Sequence, residues 1–213
     1  MAHLLGAEEI TLRFPTKTVF DSVTVGLSEG DRIGVVGANG DGKSSLLKVL
    51  TKQLEPQEGR VTHRGGLRIG FLEQTDSLSD DKSVGISVVG DVDEHEWASN
   101  ARIRDVIGGL LNDLEWNALV GSLSGGQRRR VALAALLVQD LDVIFLDEPT
   151  NHLDVEGVAW LAEHLNNRWG KNSGGLIVVT HDRWFLDAVC NYTWEVYGGK
   201  IEPFEGGYAA YIL

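Results

Sequence analysis

The sequence predicts an α/β fold with a mainly parallel sheet. Two patterns support this prediction: short apolar runs rich in β-branched residues, and segments whose apolar residues recur at the helical period. The two patterns alternate along much of the 213-residue chain, as they do in folds whose parallel strands are connected by helices. A chain of this length can bury the core of one large domain.

Six apolar runs predict strands, and three periodic segments predict helices. The strands are expected at residues 10–14, 23–27, 32–36, 67–72, 143–146 and 176–180, and the helices at residues 44–50, 126–139 and 155–165. The first two strands follow each other without a helical pattern between them, so we expect an antiparallel side sheet there. The later strands alternate with helices and are expected to form the parallel sheet.

The stretch of residues 75–122 interrupts this alternation. It begins with a strongly acidic run, with seven carboxylates and one lysine between Asp76 and Glu96, and then becomes helix-like. We interpret the acidic run as a solvated surface. We expect a single domain over residues 1–213, with a core of residues 1–74 and 123–213 and a small inserted helical lobe of residues 75–122.

Composition and charge narrow the classes of function. No run approaches the roughly twenty apolar residues of a membrane span, and the N-terminus lacks the pattern of a signal peptide. The single cysteine, Cys190, allows no internal disulfide, which suits a reducing compartment. The net charge of −12 argues against a broad basic face for nucleic acid, so we expect no direct DNA binding. We therefore expect a cytoplasmic protein that does not insert into membranes.

A glycine-rich loop lies between a predicted strand and a predicted helix. Residues 37–45 read Gly-Ala-Asn-Gly-Asp-Gly-Lys-Ser-Ser, which fits G-x-x-x-x-G-K-[ST]. In this pattern the backbone N–H groups cradle phosphates, the lysine reaches the β- and γ-phosphates, and the hydroxyl of Ser44 can bind Mg²⁺. We therefore predict a nucleoside triphosphate site, and a ligand-free turn is the alternative. The predicted contacts are Gly37, Asn39, Gly40, Asp41, Gly42, Lys43, Ser44 and Ser45.

Two carboxylates, Asp147 and Glu148, follow directly after the apolar strand of residues 143–146. Successive residues of a strand face opposite ways, so the two acids can take different roles. We predict that Asp147 holds Mg²⁺ and that Glu148 polarises the water that attacks the γ-phosphate. Such a strand end is only suggestive alone, but together with the glycine-rich loop it indicates phosphate chemistry.

A second glycine-rich turn opens the helix predicted at residues 126–139. It reads Leu123-Ser124-Gly125-Gly126-Gln127, and its helix end forms another potential anion site. These five residues match the signature motif of the ATP-binding cassette (ABC) family, which the sequence resembles over about residues 4–213. The remaining landmarks follow in order: Gln74 resembles the Q-loop, Asp147-Glu148 the Walker B pair, Asn151–Asp154 the D-loop and Thr180–Asp182 the H-loop.

The resemblance implies an ABC-type P-loop ATPase fold, with ATP and Mg²⁺ as ligands. In that family ATP lies between the phosphate loop of one cassette and the signature of another. Lys43, Glu148 and His181 would act on the ATP of their own cassette, with Gln74 near the nucleotide and the metal. Ser124, Gly125, Gly126 and Gln127 would complete the site of a second cassette, either downstream in a longer chain or in a homodimer copy.

Three further assignments are less direct. Phe14 matches the family's adenine-stacking aromatic, with Phe20 as the fallback and a core phenylalanine as the alternative. The run Arg128–Arg130 is interpreted as the polar face of a helix rather than as a nucleic-acid contact. His164, like most of the other histidines, is expected at the surface.

Two motifs favour the ABC-F subfamily over transporter subunits. Residues 149–154 read Pro-Thr-Asn-His-Leu-Asp, and residues 181–186 read His-Asp-Arg-Trp-Phe-Leu, both similar to ABC-F sequences. Residues 204–211 resemble the passage before the linker between two cassettes. The resemblance therefore implies the N-terminal half of a twin-cassette protein that acts on the ribosome in translation. The alternative is the ATP-hydrolysing subunit of a membrane transporter.

The sequence departs from the family pattern at three places. Ser45 replaces the commoner threonine, and Asp41 brings a negative charge beside the expected triphosphate. The segment between Gln74 and Leu123 is too short for the long arm that some relatives use on the ribosome. Translation control, antibiotic protection and ribosome assembly all remain open as the biological task, and a role in DNA repair is a further alternative.

Overall fold

The computed structural model describes residues 2–213. Its strands are β1 (His3–Phe14), β2 (Lys17–Ser28), β3 (Arg32–Val36), β4 (Glu58–His63), β5 (Ile69–Leu72), β6 (Val143–Asp147), β7 (Gly175–Val179), β8 (Tyr192–Tyr197) and β9 (Lys200–Glu205). Its α-helices are α1 (Lys43–Leu50), α2 (Val84–Val89), α3 (Glu94–Ala98), α4 (Ala101–Leu110), α5 (Gly125–Leu137), α6 (Val155–Arg168), α7 (Arg183–Val189) and α8 (Tyr208–Ile212). A short 3₁₀ turn, Val120–Ser122, precedes α5.

The strands form two sheets. A three-stranded sheet has the order β2-β1-β4 and is antiparallel, and a six-stranded sheet has the order β5-β6-β7-β3-β8-β9. In the larger sheet β6, β7, β3 and β8 pair in parallel, whereas β9 is an antiparallel edge strand. The predicted α/β class, with a mainly parallel sheet and an antiparallel side sheet, is confirmed.

The chain divides into two compact units. The first comprises the residues up to Phe71 together with 141–148 and 164–213, and it contains nearly all of both sheets. The second comprises residues 72–140 and 149–163 and is mostly helical. The lobe predicted at residues 75–122 lies within the second unit, which also includes α5. The predicted bounds of the inserted lobe, residues 75 and 122, stay a prediction.

In the first unit, β3 lies between β7 and β8 and carries the chain into the glycine-rich loop. Its central residues, Ile33, Gly34 and Val35, are buried. A Cβ atom at Gly34 would lie 2.6 Å from Leu186 of α7. Glycine at this position therefore allows α7 to approach the sheet closely. Because β3, β6 and β7 are parallel, the loops that follow them emerge at the same edge of the sheet.

In the second unit, the three arginines of α5 anchor the segments around them. Arg128 forms hydrogen bonds with Asp76 and Asp80, Arg129 donates to the Glu73 carbonyl, and Arg130 pairs with Asp113. This agrees with a structural role for the run, but the arginines bind partners rather than simply facing solvent. The acidic run is therefore solvated only in part, because Asp76 and Asp80 are held by Arg128.

Candidate nucleotide site

The loop after β3 depends on two glycines for which a larger residue has no room. Gly37 has φ 152° and Gly42 has φ 99°, both outside the conformations that side-chain-bearing residues favour. A Cβ atom would lie 2.5 Å from the Val196 carbonyl oxygen at Gly37, and 2.3 Å from Val19 Cγ1 at Gly42. The loop therefore requires glycine at both positions to pass between its neighbours.

Lys43 is the first residue of α1 and is only 8% exposed. Its Nζ donates hydrogen bonds to the carbonyl oxygens of Gly37 (2.7 Å) and Ala38 (3.0 Å), so the ammonium group lies within the curve of the loop. Burial lowers the pKa of Lys43, while the charges of Glu148, Asp41 and Asp147 act in the opposite direction. The loop, the lysine and the two strand-end acids therefore form one electrostatic site.

The acids stand at the end of β6. Asp147 is 2% exposed, and Glu148 follows it with φ 51°, a left-handed conformation that is uncommon for a residue with a side chain. The Glu148 amide donates to the Val179 carbonyl at 2.7 Å, which ties this turn to the end of β7. Such strain is often found at functional sites, where the surrounding structure holds it in place.

His181 reaches the same place from the loop after β7. Its Nε2 lies 3.3 Å from Glu148 Oε1, and the imidazole is well exposed while Glu148 is not. Burial raises the pKa of Glu148, whereas the charge of His181 and hydrogen bonds from the His181 backbone and the Thr180 side chain lower it. A carboxylate with a raised pKa beside a histidine is suited to accept a proton.

The donor set at this site fits a nucleoside triphosphate with Mg²⁺. A glycine cradle and a buried lysine at a helix start provide positive potential for phosphates. The Ser44 hydroxyl in the first turn of α1 and the buried carboxylate of Asp147 are the hard oxygen donors that Mg²⁺ prefers. Helix α1 packs against β6 and β7. The first of these strands ends at Asp147 and is followed by Glu148, and the second precedes the loop that contains His181.

The family model described as "ABC transporter" matches residues 20–151. The chain belongs to this family. Cassettes of the family are ATPases, and the resemblance that the sequence motifs indicated is therefore confirmed.

Curated relatives of this ABC cassette include an "Energy-dependent translational throttle protein EttA" of Mycobacterium tuberculosis, 35% identical over 92% of this chain and 41% of the relative. The "Uncharacterized ABC transporter ATP-binding protein YfmR" of Bacillus subtilis is 33% identical over 98% of this chain and 38% of the relative. The cassette thus spans about two fifths of the length of the curated relatives it matches.

The solved "Structure of ATP binding subunit of ABC transporter" has the same fold. It superposes with a TM-score of 0.82 and 18% identity, covering 95% of this chain and 90% of that chain. Within residues 2–213, no helix combines the length and the apolar character needed to cross a membrane.

The two aromatic candidates of the ABC cassette differ in exposure. Phe14 is 45% exposed at the end of β1, so its ring is accessible to a ligand. Phe20 is fully buried, and its ring lies 3.3 Å from where a Cβ atom of Gly42 would be. The fallback assignment of Phe20 is therefore wrong, because its ring is buried beside Gly42 of the phosphate loop and has no exposed face. Phe14 stays the predicted adenine contact.

The signature and Q-loop residues of the ABC cassette lie in the second unit. Gln74 is exposed directly after β5. Ser124 caps α5: its hydroxyl accepts from the Gln127 amide at 3.2 Å, and the Gln127 side chain accepts from the Ser124 amide at 2.9 Å. A Cβ atom at Gly125 would meet open space, and one at Gly126 would lie 3.2 Å from His152 of the D-loop. The roles of these residues towards ATP stay predictions.

The sequence did not indicate Lys17, gave Thr180 no role of its own, and led to a wrong placement of one histidine. Thr180, identified from the sequence only as the first residue of the H-loop, is buried and contributes to holding Glu148. Lys17 contacts the phosphate loop although it belongs to β2, and no local pattern distinguishes it. His164, expected at the surface, is 8% exposed and lies 3.1 Å from an Arg168 nitrogen. Its position three residues after Leu161, on the apolar face of α6, was the available signal.

Proposed function

We propose that this cassette binds ATP and Mg²⁺ at the loop around Lys43 and hydrolyses ATP when a second cassette supplies its signature residues. The observation that carries the proposal is the convergence of Lys43 at the start of α1, Glu148 after β6 and His181 after β7 on one site. The capped and exposed signature turn at Ser124 is consistent with a contact offered to another cassette.

Each group of the site has a proposed role in hydrolysis. Lys43 leaves its loop carbonyls to bind the β- and γ-phosphates, and the backbone of residues 37–42 surrounds them. Glu148 accepts the proton of the water that attacks the γ-phosphorus, and ADP is the leaving group. His181 donates a hydrogen bond to the γ-phosphate and orients Glu148. Ser44 and Asp147 would hold Mg²⁺, which would neutralise phosphate charge, and the family resemblance adds Gln74 as a proposed further ligand.

We further propose that the cassette is of the ABC-F type, is cytoplasmic, and couples ATP-driven closure on a second cassette to action on the ribosome. The similarity to proteins named as translational throttle proteins supports this proposal. The D-loop and H-loop motifs also favour it. Closure is favoured by ATP because the nucleotide contacts both cassettes only in the closed state.

Ribosome co-sedimentation tests this proposal. The Glu148→Gln variant should bind ATP without turning it over, so it should accumulate in the closed state and pellet with ribosomes in ATP and Mg²⁺ but not in ADP. A Lys43→Ala variant, which loses phosphate binding, serves as the control and should stay in the supernatant. Equal amounts in the pellet with ATP and ADP would contradict an ATP-driven action on the ribosome.

Size-exclusion chromatography of Glu148→Gln with ATP and Mg²⁺ tests the need for a second cassette. We expect a shift to twice the mass if two copies of this chain close on each other. An unchanged elution volume would show that a homodimer does not replace a different partner cassette.

The alternative candidate is the ATP-binding subunit of a membrane transporter. The similarity to the Bacillus subtilis relative, which is named as an ABC transporter ATP-binding protein, favours it. It predicts that the protein co-purifies with membranes through a separate transmembrane protein, and that the amount on ribosomes does not depend on nucleotide.

A further inference from the structure

The phosphate loop carries an acidic residue in a position that should oppose its ligand. Asp41 lies between Gly40 and Gly42, both of which have positive φ. Its side chain lines the same cleft, about 450 Å³ in volume, as Lys43 and His181. A carboxylate there repels a bound triphosphate unless another charge balances it.

A lysine from a different element contacts this part of the loop. Lys17 Nζ donates a hydrogen bond to the Gly40 carbonyl at 2.5 Å and lies 3.7 Å from Asp41 Oδ1. Both contacts are made by one ammonium group, so Lys17 binds the backbone and the side chain of the loop together. The side chain of Lys17 is about half exposed, and that of Asp41 is 26% exposed.

Lys17 also belongs to the hairpin that carries the predicted adenine contact. It is the first residue of β2, and it pairs in register with Phe14 at the end of β1. The ammonium group therefore connects the turn bearing Phe14 to the tip of the phosphate loop, within the same compact unit.

We propose that Lys17 is a positioning residue for nucleotide binding, whose charge neutralises Asp41 and whose hydrogen bond fixes the loop tip beside the Phe14 hairpin. This inference rests on the proposed nucleotide site around Lys43. The residue acts through Asp41 and the loop, and does not itself contact the phosphates. Without Lys17, the Asp41 carboxylate is left uncompensated near the polyphosphate and weakens its binding.

Loss of the Lys17 charge should weaken the binding of one nucleotide more than that of the other. ATP carries one more negative charge than ADP, so an uncompensated Asp41 should repel ATP more strongly. Added salt should reduce the effect, because both Lys17 and Asp41 are accessible to counterions. The loss of the Gly40 hydrogen bond alone would affect both nucleotides equally.

The test is a double-mutant cycle on nucleotide affinity, measured by the fluorescence of N-methylanthraniloyl-ATP and the corresponding ADP derivative with Mg²⁺. We expect Lys17→Met to raise the Kd for the ATP derivative by about 3- to 10-fold, with a smaller rise for ADP. In the Asp41→Asn background, the same substitution should change the Kd by less than about twofold. The control Lys48→Met removes a lysine from the exposed face of α1 and should leave both affinities unchanged.

The possible results distinguish a failure of the role proposed for Lys17 from a failure of the proposed nucleotide site. An equal loss in both backgrounds would overturn the inference, since Lys17 would then act on the phosphates directly. An unchanged Kd in Lys17→Met, with binding abolished by Lys43→Ala, would overturn it while leaving the nucleotide site intact. A wild-type protein that binds neither derivative would overturn both. Melting curves without nucleotide confirm that each variant is folded.

Discussion

The glycine-rich turns before α1 and α5 differ in how the N-terminus of the following helix is capped. At α1 the N-cap is Gly42, in a left-handed conformation, and within residues 2–213 no side chain caps the helix. At α5 the N-cap is Ser124, which forms a reciprocal capping box with Gln127. The first turn thus leaves its N–H groups for an external anion, while the second satisfies two of its own groups.

The two turns also differ in the chemistry that surrounds them. The loop before α1 shares its unit with a buried lysine, two strand-end acids and a histidine. In the turn before α5, Ser124 and Gly125 are exposed, and a Cβ atom at Gly126 would lie 3.2 Å from His152. A glycine-rich turn at the start of a helix is therefore not sufficient to form a reaction site. We expect only the first turn to hold ATP with its catalytic groups, and the second to contribute contacts to a separate cassette.

Replacing Glu148 should produce the largest effect on the first turn's site. We expect Glu148→Gln to lower the steady-state rate of ATP hydrolysis by about 10²- to 10⁴-fold, because the proton acceptor is lost. ATP affinity should stay within about twofold of wild type, since the phosphates are bound by Lys43 and the loop. Phosphate release and equilibrium binding of labelled ATP measure the two quantities.

A matched control keeps this result specific. Glu202→Gln removes an exposed carboxylate from β9 and should leave turnover unchanged. Near-normal hydrolysis in Glu148→Gln would refute Glu148 as the proton acceptor, and would remove the main chemical difference between the two turns.

Replacing Ser124 should affect stability rather than ATP binding by the cassette alone. Ser124→Ala removes the hydroxyl that caps α5, which costs about 1 kcal/mol. We expect the melting temperature to fall by roughly 2 to 4 °C. The Kd for ATP of the single chain should not change, because the serine would contact only the ATP of another cassette.

Ser79→Ala is the control, since Ser79 is an exposed serine of the same unit. It should melt at the wild-type temperature. A tenfold weaker ATP affinity in Ser124→Ala would show that the signature turn serves its own chain, and the contrast between the two turns would then be wrong.

The sequence predicts those parts of this molecule that depend on local pattern. Apolar runs and helical periodicity were enough for the central strands and for α1, α5 and α6. The glycine loop and the two acids after β6 were recognisable because their spacing is fixed by the chemistry of phosphate binding. These features involve neighbours along the chain, so a single sequence contains them.

Contacts between distant residues could not be predicted in this way. Arg128 binds Asp76 and Asp80, about fifty residues away along the chain, and the run of arginines gives no indication of these partners. Lys17 and Asp41 form an ion pair although the rest of β2, all of β3 and part of the glycine-rich loop lie between them along the chain. The left-handed backbone of Glu148 is likewise imposed by its hydrogen bond to Val179, not by its own preference.

The smallest expected effect is on stability, and it involves one carboxylate from each unit, Glu148 and Asp113. Burial raises the pKa of Glu148, whereas the hydrogen bond from Arg130 lowers the pKa of Asp113. A carboxyl group whose folded pKa is raised destabilises the fold once pH rises through that pKa. One whose folded pKa is lowered stabilises the fold above its unfolded pKa, and this contribution is lost as pH falls through the folded pKa.

The two neutralising variants should therefore change stability at pH 7 in opposite directions. Glu148→Gln should raise the free energy of unfolding by about 0.5 to 1 kcal/mol, and Asp113→Asn should lower it by about 0.5 kcal/mol, because the Asp113 carboxylate is largely exposed and solvent weakens its interaction with Arg130. For Glu148→Gln the difference should fade as pH is lowered towards the unfolded value of about 4.3, while for Asp113→Asn it should persist to still lower pH. Urea unfolding between pH 3 and pH 8 measures both, and changes of the same sign at neutral pH would show that the environments of the two acids do not differ as their contacts indicate.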